Sequence, residues 1–307
     1  MAATGTGPPY PLLPPWSGEL PGAGPETELY TGTEGVQLGY HAYRAEANQA
    51  RTALIYLHGI ESHAGWFHYS ARMLSAEGFD VFALDRRGSG TNRENRGYLS
   101  GHVNHYEDLL ADVREFIREK VEGNYDRVYL IGLSWGGKQA ALYALYYPET
   151  IDGIMLVTPG IVARVDASPG QKLGIFLSRI FAPRKTFKTP IETEMFTGVP
   201  LYQDYIRRDP LKLHSATARF FMESRKMDSY LRKHIGELTT PTLLILTRLD
   251  PIIDNDGVEE LVCRSPAPLN IYYYADQQHS VQLEDPARLT RDMTRWIHMQ
   301  SQGGTRP

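Results

Sequence analysis

The sequence predicts an α/β protein: a mostly parallel central sheet flanked by helices and interrupted by a helical insertion. Three observations carry this reading. Apolar runs at residues 53–57, 81–84, 128–133, 154–157, 242–246 and 271–274 are short and almost continuous, as strands buried on both faces of a parallel sheet must be. Between most of them lie stretches with apolar residues at helical spacing, so strand and helix alternate as in right-handed βαβ units. One interval of about eighty residues after Val157 shows no strand pattern, far more than a βα loop holds, and must be an insertion with helices of its own.

Taken in order, residues 1–26 contain Pro8, Pro9, Pro11, Pro14, Pro15, Pro21 and Pro25 and read as a flexible proline-rich arm. Residues 28–31 and 36–43 flank Gly32 and Gly35 as a hairpin. Helices are expected over 69–77, 106–121, 137–147, 255–263 and 286–299, most of them beginning near a capping Asn, Asp or Ser. The core then spans 27–160 and 237–300, the cap or lid insertion 161–236, and residues 301–307 form a disordered tail. Within the insertion a helix starts at the Ser168-Pro169 cap and stops before Pro183, with Leu173, Phe176, Leu177, Ile180 and Phe181 on one face. That face either packs on the core or lines a substrate site; the second reading makes Phe176, Leu177, Ile180 and Phe181 substrate-binding residues. Arg184, Lys185 and Lys188 follow as a charge run, either solvated or able to meet an anionic headgroup or a membrane surface.

Composition narrows the function classes. The 307 residues are 42% hydrophobic and 22% charged, which excludes a disordered or collagen-like chain. A net charge of −4 argues against nucleic acid as the main partner. The single cysteine, Cys263, allows neither a disulfide framework nor a thiolate zinc cluster, and no His-Glu-x-x-His spacing occurs, so neither metal nor cofactor is expected. No apolar stretch approaches the ~18 residues of a membrane span. With no Lys or Arg before Arg44 and no Asn-x-Ser/Thr sequon, nothing asks for a secretory route, and a cytoplasmic location is expected.

The chemistry concentrates at strand ends. The run 128–133 leads into Gly132-Leu133-Ser134-Trp135-Gly136 and then a helix with small residues, Ala140 and Ala141: a Gly-x-Ser-x-Gly elbow in its strand-turn-helix setting. On so tight a turn a Cβ at position 132 or 136 would collide with the neighbouring strand and helix. Gly132 followed by Gly137-Lys138 also mimics a phosphate-binding loop, but Gln139 stands where Ser or Thr would hold magnesium. A serine needs a base and the base an orienting acid. Both follow in order, Asp250 after the run 242–246 and His279 after 271–274, each at a strand's C-terminal end. Asp254, Asp256 and Asp276 are rivals; Asp254 reads as a helix cap and Asp276 lies too close in sequence to His279, so Asp250 is preferred. The oxyanion donors expected are the backbone N–H groups of Trp135 and Ile60, the latter in the loop His58-Gly59-Ile60-Glu61-Ser62-His63, whose histidines read as loop hydrogen-bonders.

His58-Gly59 with His63, Asp85-Arg86-Arg87-Gly88-Ser89-Gly90, the elbow, Asp250 and His279 together resemble the monoacylglycerol lipase and lysophospholipase group of the α/β-hydrolase superfamily, over roughly residues 27–299. Asn92 stands where that group usually has serine, and Trp66-Phe67 replace its usual Arg-Tyr. The resemblance implies an α/β-hydrolase fold with a cap. It also implies serine hydrolysis of carboxylic esters with apolar acyl chains and a small-molecule ester or lipid substrate; the charge run beyond the lid helix adds transient membrane-surface contact through the cap as an expectation. Thioesterase or peptidase chemistry on the same scaffold, or a non-catalytic ligand receptor, are the alternatives. Epoxide hydrolase and dehalogenase activities are excluded, because the resemblance implies Asp where Ser134 stands.

Overall fold

The computed structural model describes residues 12–16, 25–45 and 51–302. Along the core run β1 (Glu26–Thr31), β2 (Gln37–Tyr43), β3 (Thr52–Leu57), α1 (His68–Ala76), β4 (Asp80–Leu84), α2 (Tyr106–Phe116), β5 (Arg127–Leu133), α3 (Trp135–Tyr146) and β6 (Gly153–Val157). The insertion holds α4 (Pro169–Phe181), β7 (Thr186–Lys188), α5 (Thr193–Phe196), α6 (Pro200–Arg208), β8 (Ser215–Thr217) and α7 (Ala218–His234). The core resumes with β9 (Thr242–Thr247), α8 (Asn255–Val262), β10 (Leu269–Tyr274), α9 (Val281–Glu284) and α10 (Pro286–Gln302).

Eight strands form one sheet in the order β1-β2-β4-β3-β5-β6-β9-β10. The hairpin strand β2 meets β1 and β4 antiparallel, and every later pair is parallel. The central apolar runs are continuous for the reason inferred from sequence, whereas 271–274, expected to be buried on both faces, lies in the edge strand β10 and is only half-buried up to Tyr274. Leu54, Tyr56, Ile131 and Met155 face one core layer and Ile55, Leu57, Leu130 and Leu156 the other, so neither face of the central strands meets water. Helix α10 closes one layer with Leu289, Met293, Trp296 and Ile297, a stripe at helical spacing, all buried. Helix α3 is instead buried nearly all round, and its Ala140 and Ala141 let it lie close against β5.

Four details depart from the sequence reading. The insertion does contain strands: β7 and β8 pair antiparallel, but at three residues each they are too short to leave an alternating pattern. The helix expected over 106–121 is α-helical only to Phe116 and widens into a π-turn at Ile117–Val121. Part of the proline-rich arm is docked: the Trp16 ring lies 5.0 Å from that of Tyr69, whose hydroxyl donates to the Pro14 carbonyl. Most of the rest of the arm lies outside the described residues. At the other end α10 runs through Gln302, past the boundary at 301, and the remainder of the tail lies outside the described residues.

Candidate active site

The parallel strands all end at the same edge of the sheet, and the loops leaving β3, β5, β6, β9 and β10 meet there. Ser134, at the turn between β5 and α3, has φ 53° and ψ −121°, a backbone conformation that costs a side-chain-bearing residue about 1–3 kcal/mol. Its neighbours permit it. A Cβ on Gly132 would lie 2.4 Å from the Gly136 carbonyl oxygen, and one on Gly136 would lie 2.1 Å from that of Leu57. The turn is held by Ser134 N–H donating to Val157 O at 2.9 Å and by Gly160 N–H donating to Ser134 O at 2.6 Å.

His279 and Asp250 come together as the strand order requires. His279 Nδ1 lies 2.7 Å from Asp250 Oδ2, both side chains essentially inaccessible. Asp250 Oδ1 accepts from the N–H groups of Ile252 and Ile253 at 2.8 and 3.1 Å, so the carboxylate is fully engaged and cannot rotate away. With Nδ1–H given to Asp250, the other ring nitrogen is the acceptor. Nε2 is buried and has no hydrogen-bond partner among the described residues, Ser134 included. Catalytic contacts of this kind often close only around substrate. Of the rival acids, Asp254 stands at the N-cap of α8 and Asp276 pairs with Arg288 at 3.0 Å. The insertion covers the histidine: the Phe196 ring sits 6.0 Å from the imidazole, and Ser280 N–H donates to Phe196 O at 2.8 Å.

Two residues to which the sequence reading assigns no role organise the site. Arg86, buried after β4, donates to the carbonyls of His58, Gly59 and Ile60 at 3.3, 2.8 and 2.5 Å. Engaging three successive carbonyls fixes the orientation of these peptides, and the Ile60 and Trp135 amides have no acceptor among the described residues. The guanidinium lies 4.8 Å over the Trp135 ring, and burial pushes it down to about 9, still protonated at neutral pH. The second, Thr158, has φ 40° and bonds the His279 carbonyl through Oγ1. Arg86 is visible in sequence only as the variable position of the Asp85 to Gly90 stretch, and Thr158 carries no signal at all.

The histidines of the 58–63 loop are structural. His58 Nδ1 donates to Gly59 O at 2.8 Å and Nε2 accepts from Arg86 N–H; burial, then the Arg86 charge, hold its pKa well below the usual imidazole value. His63 reaches Asp209 of the insertion at 3.0 Å, and the Trp66 indole donates to the same carboxylate oxygen at 2.6 Å. Glu61 pairs with Lys212 at 3.1 Å, so the insertion is latched to this loop. The two departures from the resembled group are thereby accounted for. Trp66 serves this latch and Phe67 stacks on Tyr56, while Asn92 accepts from Gly39 N–H at 2.8 Å and donates to Asp85 O at 2.6 Å.

A cavity of about 1010 Å³ opens above Ser134, Trp135 and Ile60. Of the substrate-binding residues expected on α4, Phe176 lines it, together with Leu173. Leu177, Ile180 and Phe181 do not: they point to solvent, Phe181 at 85% exposure. Leu173, Phe176, Leu177, Ile180 and Phe181 do share one face of α4, but only its Leu173–Phe176 edge borders the cavity while the rest turns to solvent; Ile175, on the opposite side, packs inward. The rest of the apolar wall includes Ile161, Ile191, Phe221, Ile252 and Ile253. Arg184, Lys185 and Lys188 are exposed and lie away from the cavity.

Strand order, elbow and site define an α/β-hydrolase-fold serine hydrolase acting on carboxylic esters. A family profile described as serine aminopeptidase, S33, matches residues 48–286, and the chain belongs to that family. It shares 24% identity with the monoacylglycerol lipase of Mycolicibacterium smegmatis over 87% of this chain and 95% of that one. With the monoglyceride lipase of Homo sapiens it shares 27% over 72% and 73%. Among solved structures, a soluble variant of the Saccharomyces cerevisiae monoglyceride lipase in complex with a substrate analog superposes with a TM-score of 0.79 at 20% identity, covering 95% of this chain and 99% of that one. Among the described residues no helix is long and apolar enough to cross a membrane.

Proposed function

We propose that this protein hydrolyses monoacyl esters with apolar acyl chains, of the monoacylglycerol or lysophospholipid type, through an acyl-enzyme on Ser134. The observation that carries the reading is the Asp250–His279 contact at 2.7 Å, which leaves His279 Nε2 as an acceptor with no partner among the described residues. In this reading Ser134 Oγ attacks the ester carbonyl carbon while Nε2 takes its proton. The carbonyl oxygen becomes an oxyanion received by the N–H groups of Ile60 and Trp135. Collapse breaks the acyl–oxygen bond, and the imidazolium returns the proton to the departing alcohol. Water, deprotonated by the same nitrogen, then attacks the acyl-serine; the carboxylic acid leaves and Ser134 regains its proton.

The relatives named as monoacylglycerol lipases support the substrate class, and the apolar wall of Leu173, Phe176, Ile252 and Ile253 supports an acyl chain. In the same proposal the exposed Leu177, Ile180 and Phe181 touch a membrane surface from which the lipid enters, making the insertion a lid. The location is cytoplasmic, in keeping with one unpaired cysteine. Peptidase or thioesterase turnover would use the same residues. The test is fluorophosphonate labelling followed by kcat/KM on acetyl through dodecanoyl monoacylglycerols. Labelling at Ser134 and a preference for medium or long chains are expected; a preference for acetyl, or faster turnover of matched amides or thioesters, would replace the lipase reading.

A further inference from the structure

The cavity over Ser134 has a polar lining as well as an apolar one. On α7, Arg225, Asp228 and Arg232, three and four residues apart, share a face with Ser224. Lys138 joins them from α3, one helical turn or about 5.4 Å along from Ser134. It is 5% exposed, pairs with Asp228, and donates to Ser224 Oγ at 3.1 Å. The Trp135 indole N–H donates to the same hydroxyl at 3.0 Å. A hydroxyl that accepts two bonds has its own proton left to donate, and an ammonium with two bonds keeps a third N–H. Both groups line the cavity.

Charge points the same way. Five cations line the cavity, Lys138, Lys172, Arg179, Arg225 and Arg232, against two anions, Asp166 and Asp228, a balance of +3 within a chain of −4. Lys138 and Lys172 are paired with the two carboxylates, and Arg179 lies 4.1 Å over the Phe176 ring. Arg225 and Arg232 have no carboxylate partner among the described residues. An electropositive cleft raises the local concentration of anions.

We infer that this cavity selects esters bearing an anionic oxygen group, with Lys138, Ser224, Arg225 and Arg232 as the subsite that receives it and the apolar lining taking the chain. The inference rests on the hydrolase reading above. The charge can reside on the acyl side, as in a dicarboxylic half-ester, or on the alcohol side, as in a phosphorylated glycerol ester; a carboxylate or phosphate oxygen is common to both.

Two matched pairs separate these sources. Turnover of p-nitrophenyl hemiglutarate is compared with p-nitrophenyl pentanoate, and of 1-lauroylglycerol 3-phosphate with 1-monolauroylglycerol, at low and high salt. At least one charged-to-neutral ratio of kcat/KM is expected near tenfold at low salt, shrinking with ionic strength and falling toward one in the Arg225→Gln, Arg232→Gln double variant. The pair showing the preference identifies the side of the ester. Ratios at or below one in both pairs overturn the subsite. Binding of decanoate against 1-decanol, followed by tryptophan fluorescence, keeps the question independent of catalysis. Tenfold tighter decanoate binding, lost in the double variant, with no ester turned over would sustain the subsite while removing the hydrolase reading. Equal binding of the two would remove the subsite alone.

Discussion

Thr158 Oγ1 donates to the backbone carbonyl of His279 at 3.2 Å, joining the end of β6 to the loop that carries the site histidine. The residue before it, Val157, accepts the Ser134 N–H at 2.9 Å. One dipeptide therefore sets the spacing between the elbow and the imidazole, and Thr158 adopts a φ of 40° to do so. Replacing Thr158 by Val keeps the shape and removes the hydroxyl, a loss of about 1 kcal/mol of positioning. We expect kcat to fall roughly fivefold in Thr158→Val and to recover in Thr158→Ser. Equal activity of the two variants would assign the hydroxyl to folding alone.

Arg86 holds three consecutive carbonyls with one planar fork, which lysine cannot reproduce. Arg86→Lys keeps the charge and frees the 58–60 peptides. Loss of a correctly aimed oxyanion donor costs about 100-fold or more in kcat. We expect that loss in single-turnover acylation with little change in KM. A rise in KM at constant kcat would show that the loop binds substrate and does not hold the oxyanion.

Ser134→Ala is expected to abolish fluorophosphonate labelling and to reduce ester turnover by about three orders of magnitude or more, with circular dichroism unchanged. Asp250→Asn should approach that loss, because Asp250 is the carboxylate bonded to the imidazole. Asp254→Asn, at the start of α8, should cost far less. Reversal of the last two would move the acid assignment to Asp254.

Burial holds His41 and His68 down to about 4 from an ordinary value near 6.5. Between these values the unfolded chain binds protons that the folded one refuses, so stability falls as pH drops from about 6.5 to 4 and levels off below. Together the two contribute a slope of order 2–3 kcal/mol per pH unit. Urea denaturation at pH 7.5, 6 and 5 reads that slope directly. His68→Gln should reduce it by about one proton, and an unaltered slope would falsify the buried neutral state of His68.

Leu177, Ile180 and Phe181 leave a large apolar surface on α4 in solvent. Converting all three to Ser should weaken co-sedimentation with phosphatidylcholine vesicles by about tenfold or more, since each side chain can bury roughly 1.5–3 kcal/mol of apolar surface. Turnover of a water-soluble short-chain ester serves as the comparison. Unchanged vesicle binding would leave this face without a role at membranes.

The sequence by itself determined the sheet, the elbow and the order of its partners. Strands buried on both faces leave continuous apolar runs, and a nucleophile on a turn this tight demands Gly132 and Gly136, so both constraints are written locally. Asp250 was legible because it follows directly on such a run, and His279 because it follows the apolar run of the edge strand β10, half-buried though that strand is. Tertiary structure alone decided how much of the apolar face of α4 meets the cavity, since the spacing marks the face and only packing against the rest of the fold determines which part of it is covered. It alone brought Lys138 to Asp228, His63 to Asp209 and Thr158 to His279. These contacts join residues 90 to 146 positions apart in the chain, and a side chain satisfied at that distance imposes no periodicity on its own neighbourhood.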